Sequence, residues 1–144
     1  MAKIPRTRCG NTMTEAQLKA RIMSFLRKGS QYWMPKQECA KQAKKGFIMN
    51  PKTGRQNMAF ECCKCKGLFS KNDIKIDHIT PVAPLAGYGE STRYLGINWN
   101  EYIERMFVEL DGLQAVCVDD HKIITDEENV IRRAFKKKQK DGLQ

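Results

Sequence analysis

The chain has 144 residues, of which 41% are hydrophobic and 29% are charged, so a folded domain is expected and wholesale disorder is excluded. No apolar run approaches the roughly 18–20 residues of a membrane span, and the first residues lack the apolar core of a signal peptide. We therefore expect a cytoplasmic protein rather than a secreted or membrane-anchored one.

Charge is unevenly distributed along the chain. The sequence holds 26 Lys and Arg against 16 Asp and Glu, a net charge of +10. Residues 1–72 carry 16 basic and 3 acidic side chains. Residues 73–128 carry 4 basic and 12 acidic side chains, and residues 129–144 carry 6 basic side chains and 1 acidic side chain. Basic flanks attract a polyanion such as a nucleic acid. The acidic centre would repel the same polyanion unless a divalent cation lay between them. This pattern favours a nucleic acid partner, with solvated helix faces as the alternative for each basic run alone.

A basic arm and a helix are predicted at the start of the chain. Residues 1–13 carry three basic side chains and are expected to form a loose arm. Residues 14–17 form a capping box, in which a Thr at the N-cap is followed three residues later by a Gln. The helix is predicted to end at Gly29, and residues 14–57 are assigned to a helical extension.

A second helix and a β-hairpin follow. Pro35 is a suitable first residue for a helix, which is predicted to end at Gly46. A turn cluster at residues 50–54 precedes residues 58–79, which are predicted to form a β-hairpin. At residues 74–77 the isoleucines should point to one face, and the lysine and aspartate to the other.

The second half of the chain is predicted to be a loop, a helix, a strand and a last helix. Residues 81–96 are rich in Pro and Gly and form the loop, after which Asn98 or Trp99 begins the third helix. Leu113–Cys117 is a short strand, and the residues after Cys117 are predicted to turn helical. A second capping box at residues 125–128 is predicted to start the C-terminal helix.

The predicted elements divide the rest of the chain into a core and a basic tail. Residues 58–135 are assigned to a core, and residues 136–144 to a frayed basic tail. The lysines Lys136, Lys137 and Lys138 are our candidates for DNA-binding residues, with a solvated tail as the alternative.

Two groups of cysteines have the spacing of a metal site. All six cysteines are expected to be reduced, because disulfides are rare in the cytoplasm. Cys62 and Cys65 have the Cys-x-x-Cys spacing that lets two thiolates bind one tetrahedral zinc ion. Cys117 repeats the spacing downstream, with Asp120 where a fourth cysteine would be expected. A redox pair and buried thiols without a metal remain as alternatives.

The two histidines each follow one half of this pattern. His78 comes after Asp77 at the end of a predicted strand, and His121 follows the strand that ends in Cys117. Because metal binding would join the two halves, we expect the histidines to lie close together. The alternatives are a strand-end Asp–His pair without function, and a His121 that has no ligand role or that replaces Asp120 at the zinc.

These residues suit the hydrolysis of a phosphodiester bond, which needs a base, a cation and positive surroundings for the strand. The imidazole of His78 can accept a proton from water near neutral pH. Asp77 faces the other side of the strand and, with His121, is predicted to hold one Mg²⁺ or Mn²⁺ that acts as a Lewis acid. We therefore predict His78, Asp77 and His121 as the catalytic residues.

The order of these motifs resembles the HNH endonuclease family, in its bacteriophage-type branch. Residues 60–65 followed by residues 76–81 are similar to the first half of its motif. Residues 99–107, then Leu113–Cys117 and His121, are similar to the second half.

The resemblance covers roughly residues 14–130 and implies an α+β fold with a ββα-metal core, a zinc knuckle and an N-terminal helical extension. It implies a metal-dependent DNA endonuclease with a structural Zn²⁺ and a catalytic Mg²⁺ or Mn²⁺. Family members are often encoded beside phage packaging genes, so terminase is an implied partner and the host cytoplasm an implied location.

Three positions depart from the family pattern. The central Asn of the family falls at Gly112, where Asp111 or Gln114 is a candidate substitute. The fourth zinc cysteine falls at Asp120, a weaker zinc ligand that Cys63 is a candidate to replace. The usual Lys near the end of the motif is Ile124. These departures favour, as the alternative function, a zinc-stabilised DNA-binding or terminase-associated packaging partner with weak or lost catalysis.

Overall fold

The computed structural model describes residues 3–89 and 93–142, which adopt an α+β fold. Its helices in these ranges are α1 (Glu15–Ser30), α2 (Met34–Gln42), α3 (Trp99–Met106) and α4 (Val118–Gly142). Its strands are β1 (Lys44–Met49), β2 (Gln56–Glu61), β3 (Leu68–Phe69), β4 (Ile74–His78) and β5 (Leu113–Cys117). Parts of the predicted arm (1–2), loop (90–92) and tail (143–144) lie outside the described residues.

The start of α1 is fixed by its capping box, as predicted. The Thr14 hydroxyl accepts from the backbone N–H of Gln17 at 3.2 Å, and the Gln17 side chain accepts from the backbone N–H of Thr14 at 2.9 Å. The predicted end at Gly29 is wrong by one residue, because Ser30 also keeps helical geometry and its hydroxyl donates to the Arg27 carbonyl at 2.8 Å.

The chain leaves α2 earlier than predicted. This helix ends at Gln42, and Gly46 lies inside β1, where its φ of +78° accommodates an irregularity in the pairing with β2. Glycine adopts this left-handed conformation without the steric penalty of a side chain. The turn predicted at residues 50–54 is confirmed, since the Gly54 N–H donates to the Asn50 carbonyl at 2.8 Å.

The hairpin predicted over residues 58–79 is confirmed for β2 and β3, which pair antiparallel around the turn with Cys62 and Cys65, but it does not extend to β4. β2 pairs with β1 and β3, whereas β4 pairs antiparallel with β5 from much later in the chain. The predicted alternation in β4 is confirmed: Ile74 and Ile76 pack against a buried cluster that includes Leu113 and Ala115. Packing of these apolar faces gives β4 and β5 their register, in which Asp77 lies opposite Gln114.

β5 continues directly into α4. Cys117 is the last residue of the strand and Val118 is the first of the helix. The predicted helix after Cys117 is confirmed, whereas the predicted separate start at residue 125 is wrong. The Thr125 hydroxyl instead donates to the His121 carbonyl at 2.9 Å inside α4. The helix runs to Gly142, so the predicted frayed tail is helical through that residue.

A separate buried cluster surrounds α3. Its start is as predicted, with the Asn98 side chain accepting from the backbone N–H of Glu101 at 3.2 Å. Tyr102 and Met106 are buried with Ile97 at the centre of this cluster. Within the described ranges, none of the helices combines the length and the apolar composition that a membrane crossing requires.

Candidate functional site

Four side chains from three parts of the fold converge at the junction of β5 and α4. Cys62 and Cys65 lie in the turn after β2, Cys117 ends β5, and Asp120 lies in the first turn of α4. One ligand atom from each residue lies within 4.8 Å of the other three. Among residues 3–89 and 93–142, this is the one such group of three or more His, Cys, Asp or Glu side chains.

The distances within this cluster suit a small tetrahedral cation. Asp120 Oδ2 lies 3.1 Å from Cys62 Sγ and 3.3 Å from Cys117 Sγ, and the sulfurs of Cys65 and Cys117 are 4.0 Å apart. Zinc–sulfur bonds of about 2.3 Å in a tetrahedron separate two sulfurs by about 3.8 Å. Three thiols and a carboxylate are also a donor set that zinc accepts, so the cluster is a possible metal site consistent with zinc.

The electrostatics of the cluster also favour a cation. Burial raises the pKa of the Cys117 thiol to about 12, although the backbone N–H of Asp120 offsets part of this effect. Hydrogen bonds from Cys62 and Cys117 lower the pKa of the Asp120 carboxyl. The metal-free cluster thus combines a charged carboxylate with a neutral Cys117. Ionising the thiols as well would crowd negative charges together, which a bound dication compensates.

Cys63 lies outside this cluster. Its backbone N–H donates to the Ala115 carbonyl at 2.9 Å, and its exposed thiol points to the amide oxygen of Gln114 at 3.7 Å. The fourth member of the cluster, beside Cys62, Cys65 and Cys117, is thus Asp120 and not Cys63.

Asp77 and His121 meet between β4 and α4. Asp77 Oδ1 lies 3.9 Å from His121 Nε2, and both side chains are partly exposed, at 22% and 39% of their surface. A carboxylate oxygen and an imidazole nitrogen are donors that Mg²⁺ or Mn²⁺ accepts. Cis ligands of an octahedral ion with bonds of about 2.1 Å lie about 3.0 Å apart, so these two atoms must approach each other by about 0.9 Å to bind a single cation.

His78 is held on the opposite face of β4. Its Nε2 lies 2.8 Å from the backbone carbonyl oxygen of Met106, at the end of α3. A carbonyl can only accept, so Nε2 carries the proton and Nδ1 of the neutral ring has a free lone pair. The ring is partly buried and fixed in orientation, which is the arrangement that a general base needs.

Gly112 supports the backbone just after His78. Its carbonyl accepts from the Ile79 N–H at 3.0 Å. A Cβ at position 112 would lie 2.9 Å from Cβ and Cγ2 of Val108, so no side chain fits there without a shift of that valine. The glycine at this position therefore has a steric cause, and its carbonyl fixes the backbone at Ile79, directly after His78.

Two arginines hold the loop that follows. Arg105 of α3 donates to the Pro81 carbonyl at 3.1 Å, and Arg132 of α4 donates to the Ala83 carbonyl at 3.3 Å. Each arginine also pairs with a glutamate one turn away on its own helix. The segment after His78 is thus fixed to both helices.

A tryptophan from the helical extension fixes the chain next to Met106. The Trp33 indole N–H donates to the Val108 carbonyl at 2.7 Å, and its ring packs edge-to-face on Phe107 at 5.4 Å between centroids. The extension therefore supports the backbone that binds His78. Sequence reasoning missed both this contact and the Met106 carbonyl, because a backbone acceptor leaves no signal in the sequence.

The remaining predicted site residues lie apart from this centre. Gln114 is opposite Asp77 in the β4–β5 register, so it occupies the other face from His78. Lys136, Lys137 and Lys138 are exposed on α4. Position 136 is fifteen residues beyond His121, or about 22 Å along the helix axis.

Comparisons with models of protein families, with curated proteins and with solved structures give no match for this chain. The geometry of the site is therefore the basis for assigning a function.

Proposed function

We propose that the protein is a metal-dependent DNA endonuclease of the HNH type, with β4, β5 and α4 as its ββα-metal core. The observation that carries this proposal is the arrangement around the end of β4. There Asp77 lies 3.9 Å from His121, and the next residue, His78, is fixed on the opposite face at the end of the strand by Met106. A proton acceptor that directly follows a metal-binding side chain in the chain supplies two of the groups that hydrolysis of a phosphodiester requires.

In this mechanism His78 takes the proton from the attacking water at Nδ1. The Met106 carbonyl accepts from Nε2 and stabilises the imidazolium that forms. Asp77 and His121 would hold Mg²⁺ or Mn²⁺. Such an ion supplies Lewis acidity and neutralises charge at the phosphate and at the leaving 3′-oxygen.

A structural zinc ion is assigned to the separate cluster of Cys62, Cys65, Cys117 and Asp120. Its role is to join the turn after β2 to the junction of β5 and α4. Since His121 directly follows Asp120, this connection would orient the catalytic helix. Zinc is not given a chemical role, because all four coordination positions of the ion are taken by protein ligands.

The decisive experiment is nicking of supercoiled plasmid with Mg²⁺, Mn²⁺ or EDTA by the wild type and His78→Ala. We expect metal-dependent nicking that His78→Ala abolishes while its circular dichroism and zinc content stay unchanged. Asp126→Asn, which alters an exposed carboxylate of α4 outside the site, is the control and should keep the activity. Nicking by His78→Ala at the wild-type rate would contradict the role of the histidine.

A second candidate is a zinc-stabilised DNA-binding protein, for example a terminase-associated packaging partner, without catalysis. Gly112 at the position of the family Asn favours it. This function predicts salt-dependent DNA binding and no cleavage at any metal concentration by folded, zinc-loaded protein.

A further inference from the structure

A groove of about 1110 Å³ lies between α2, the β1–β2 hairpin and β4. Amide side chains and five lysines contribute most of its polar lining. No Asp or Glu is among the described residues that line it. The lysines come from α2, β1, the turn before β4 and β4 itself: Lys36, Lys41, Lys44, Lys71 and Lys75.

The positive charge of this groove is largely uncompensated. Among the described residues, Lys41 is the one groove lysine with a carboxylate oxygen within 4.0 Å, and that partner is Glu38 at 3.7 Å on the outer side of α2. Like charges from four separate elements repel one another, and a bound anion removes that repulsion.

The groove also leads toward the candidate catalytic residues. Lys75 precedes Asp77 by two residues on the same face of β4. Lys36 is half-buried on the α2 side of the groove, where burial lowers its pKa and the charge of Asp77 partly opposes that shift. A ligand lying along the lysines would therefore pass beside the end of β4.

We propose that this lysine groove binds the phosphodiester backbone of duplex DNA and guides one strand to the end of β4, where Asp77 lies. A single phosphate could contact only a few of the lysines, whereas a DNA backbone presents phosphates at regular intervals along the whole groove. The proposal rests on the proposed nuclease function for its substrate class. It assigns the principal DNA contacts to the groove instead of Lys136, Lys137 and Lys138.

The test compares two triple variants of the full, zinc-loaded chain. One changes Lys44, Lys71 and Lys75 to Gln, and the other changes Lys136, Lys137 and Lys138 to Gln. Each lowers the net charge from +10 to +7, since three positive charges are removed. Binding of a fluorescein-labelled DNA duplex is followed by anisotropy over a series of salt concentrations, without added divalent cation.

We expect the groove variant to lose affinity, and the slope of log K against log salt to fall by about 2.7 if three phosphate contacts are lost. The tail variant should keep nearly the wild-type slope. Replacing the same three groove lysines with Arg should preserve binding, which separates loss of charge from loss of fold. Equal losses in both Gln variants, or a larger loss in the tail variant, would overturn the proposal.

Two further outcomes separate this inference from others. A duplex RNA of the same sequence is measured in parallel, and a loss confined to RNA overturns the assignment to DNA. If the groove variant loses DNA affinity but the wild type never nicks plasmid, the groove stands and the nuclease function fails. If the wild type nicks plasmid and the groove variant binds normally, only the groove proposal fails.

Discussion

The imidazole of His78 donates to the carbonyl oxygen of Met106 across 2.8 Å, although the two residues lie 28 positions apart on β4 and α3. The orientation of the candidate base thus depends on the backbone at the end of α3. That backbone is in turn fixed two residues later, where Val108 accepts from Trp33. A residue of the helical extension is therefore a positioning residue for His78.

Trp33→Phe tests this dependence. The variant keeps an aromatic ring against Phe107 but removes the donor for the Val108 carbonyl. We expect the free energy of unfolding to fall by about 1 kcal/mol, and the plasmid-nicking rate to fall as His78 loses its fixed orientation. Urea denaturation and single-turnover nicking measure the two effects.

Trp99→Phe is a matched control for that variant. Its indole N–H donates to the Tyr94 carbonyl at 2.9 Å, and its ring packs edge-to-face on Tyr102 at 5.7 Å. The loss of stability should be similar, but the nicking rate of the folded protein should not change. Equal loss of rate in both variants would mean that Trp33 has no special role in positioning His78.

Cys65→Ser and Cys63→Ser distinguish the metal cluster from its neighbouring thiol. Cys65 belongs to the cluster, so its replacement should lower zinc content and the melting temperature. Cys63 lies outside, so its replacement should preserve both. Metal analysis and thermal denaturation with and without a chelator measure the difference, and loss of zinc from Cys63→Ser would exclude Asp120 as the fourth ligand.

Gly112→Ala should destabilise the fold because its methyl group would lie 2.9 Å from Val108. We expect a loss of about 1–3 kcal/mol, the usual effect of overpacking. Val108→Ala removes the two γ carbons, one of which lies at 2.9 Å, but keeps Cβ at the same distance, so the double variant should recover only part of that loss. A double-mutant cycle from urea denaturation measures the coupling, and strictly additive effects would argue against a steric cause.

Local signals in the sequence were enough to predict several elements. The Thr14 capping box, the start of α3 at Asn98 and the strand Leu113–Cys117 each depend on residues close in the chain. Strand partners were not predictable in the same way. The pairing of β4 with β5 is determined by burial of isoleucines against residues far along the chain, and an apolar alternation does not specify which strand it will pack on.

The parts of the candidate site that are formed by side chains were predictable from the sequence, whereas the parts formed by backbone groups were not. Cysteine spacing indicated the thiol cluster, and the Asp120 position followed from the same spacing. In contrast, the support of His78 by the Met106 carbonyl involves no recognisable side chain. Four of the five groove lysines were visible only as excess charge in residues 1–72, and Lys75 lies in the acidic segment that follows. Their juxtaposition was not predictable because it requires the folded arrangement of α2 and the strands.

Lys36→Met should stabilise the protein at neutral pH. Burial lowers the pKa of the Lys36 ammonium from its ordinary value of 10.5, although Asp77 opposes this shift. The unfolded chain therefore binds this proton more tightly than the folded chain does. The resulting loss of folding stability has its full size at pH values below the pKa of Lys36 in the folded protein. It disappears as the pH rises toward 10.5, so the advantage of the variant should shrink there.

Thermal denaturation of the wild type and Lys36→Met at neutral and alkaline pH measures this advantage. The difference in stability between the two proteins reports on Lys36 alone, because the cysteines that also ionise at high pH are the same in both. Lys41→Met, on the same helix but exposed, should give no such gain. A variant less stable than the wild type at neutral pH would contradict the burial effect.

The direct passage from β5 into α4 makes the length of the chain at this point critical. Successive residues of an α-helix are turned by about 100° from one another. One residue inserted between Cys117 and Val118 would rotate Asp120 away from the thiols and His121 away from Asp77 in a single step. A deletion would do the same in the opposite sense. Homologous chains should therefore vary here by substitution and never by insertion or deletion.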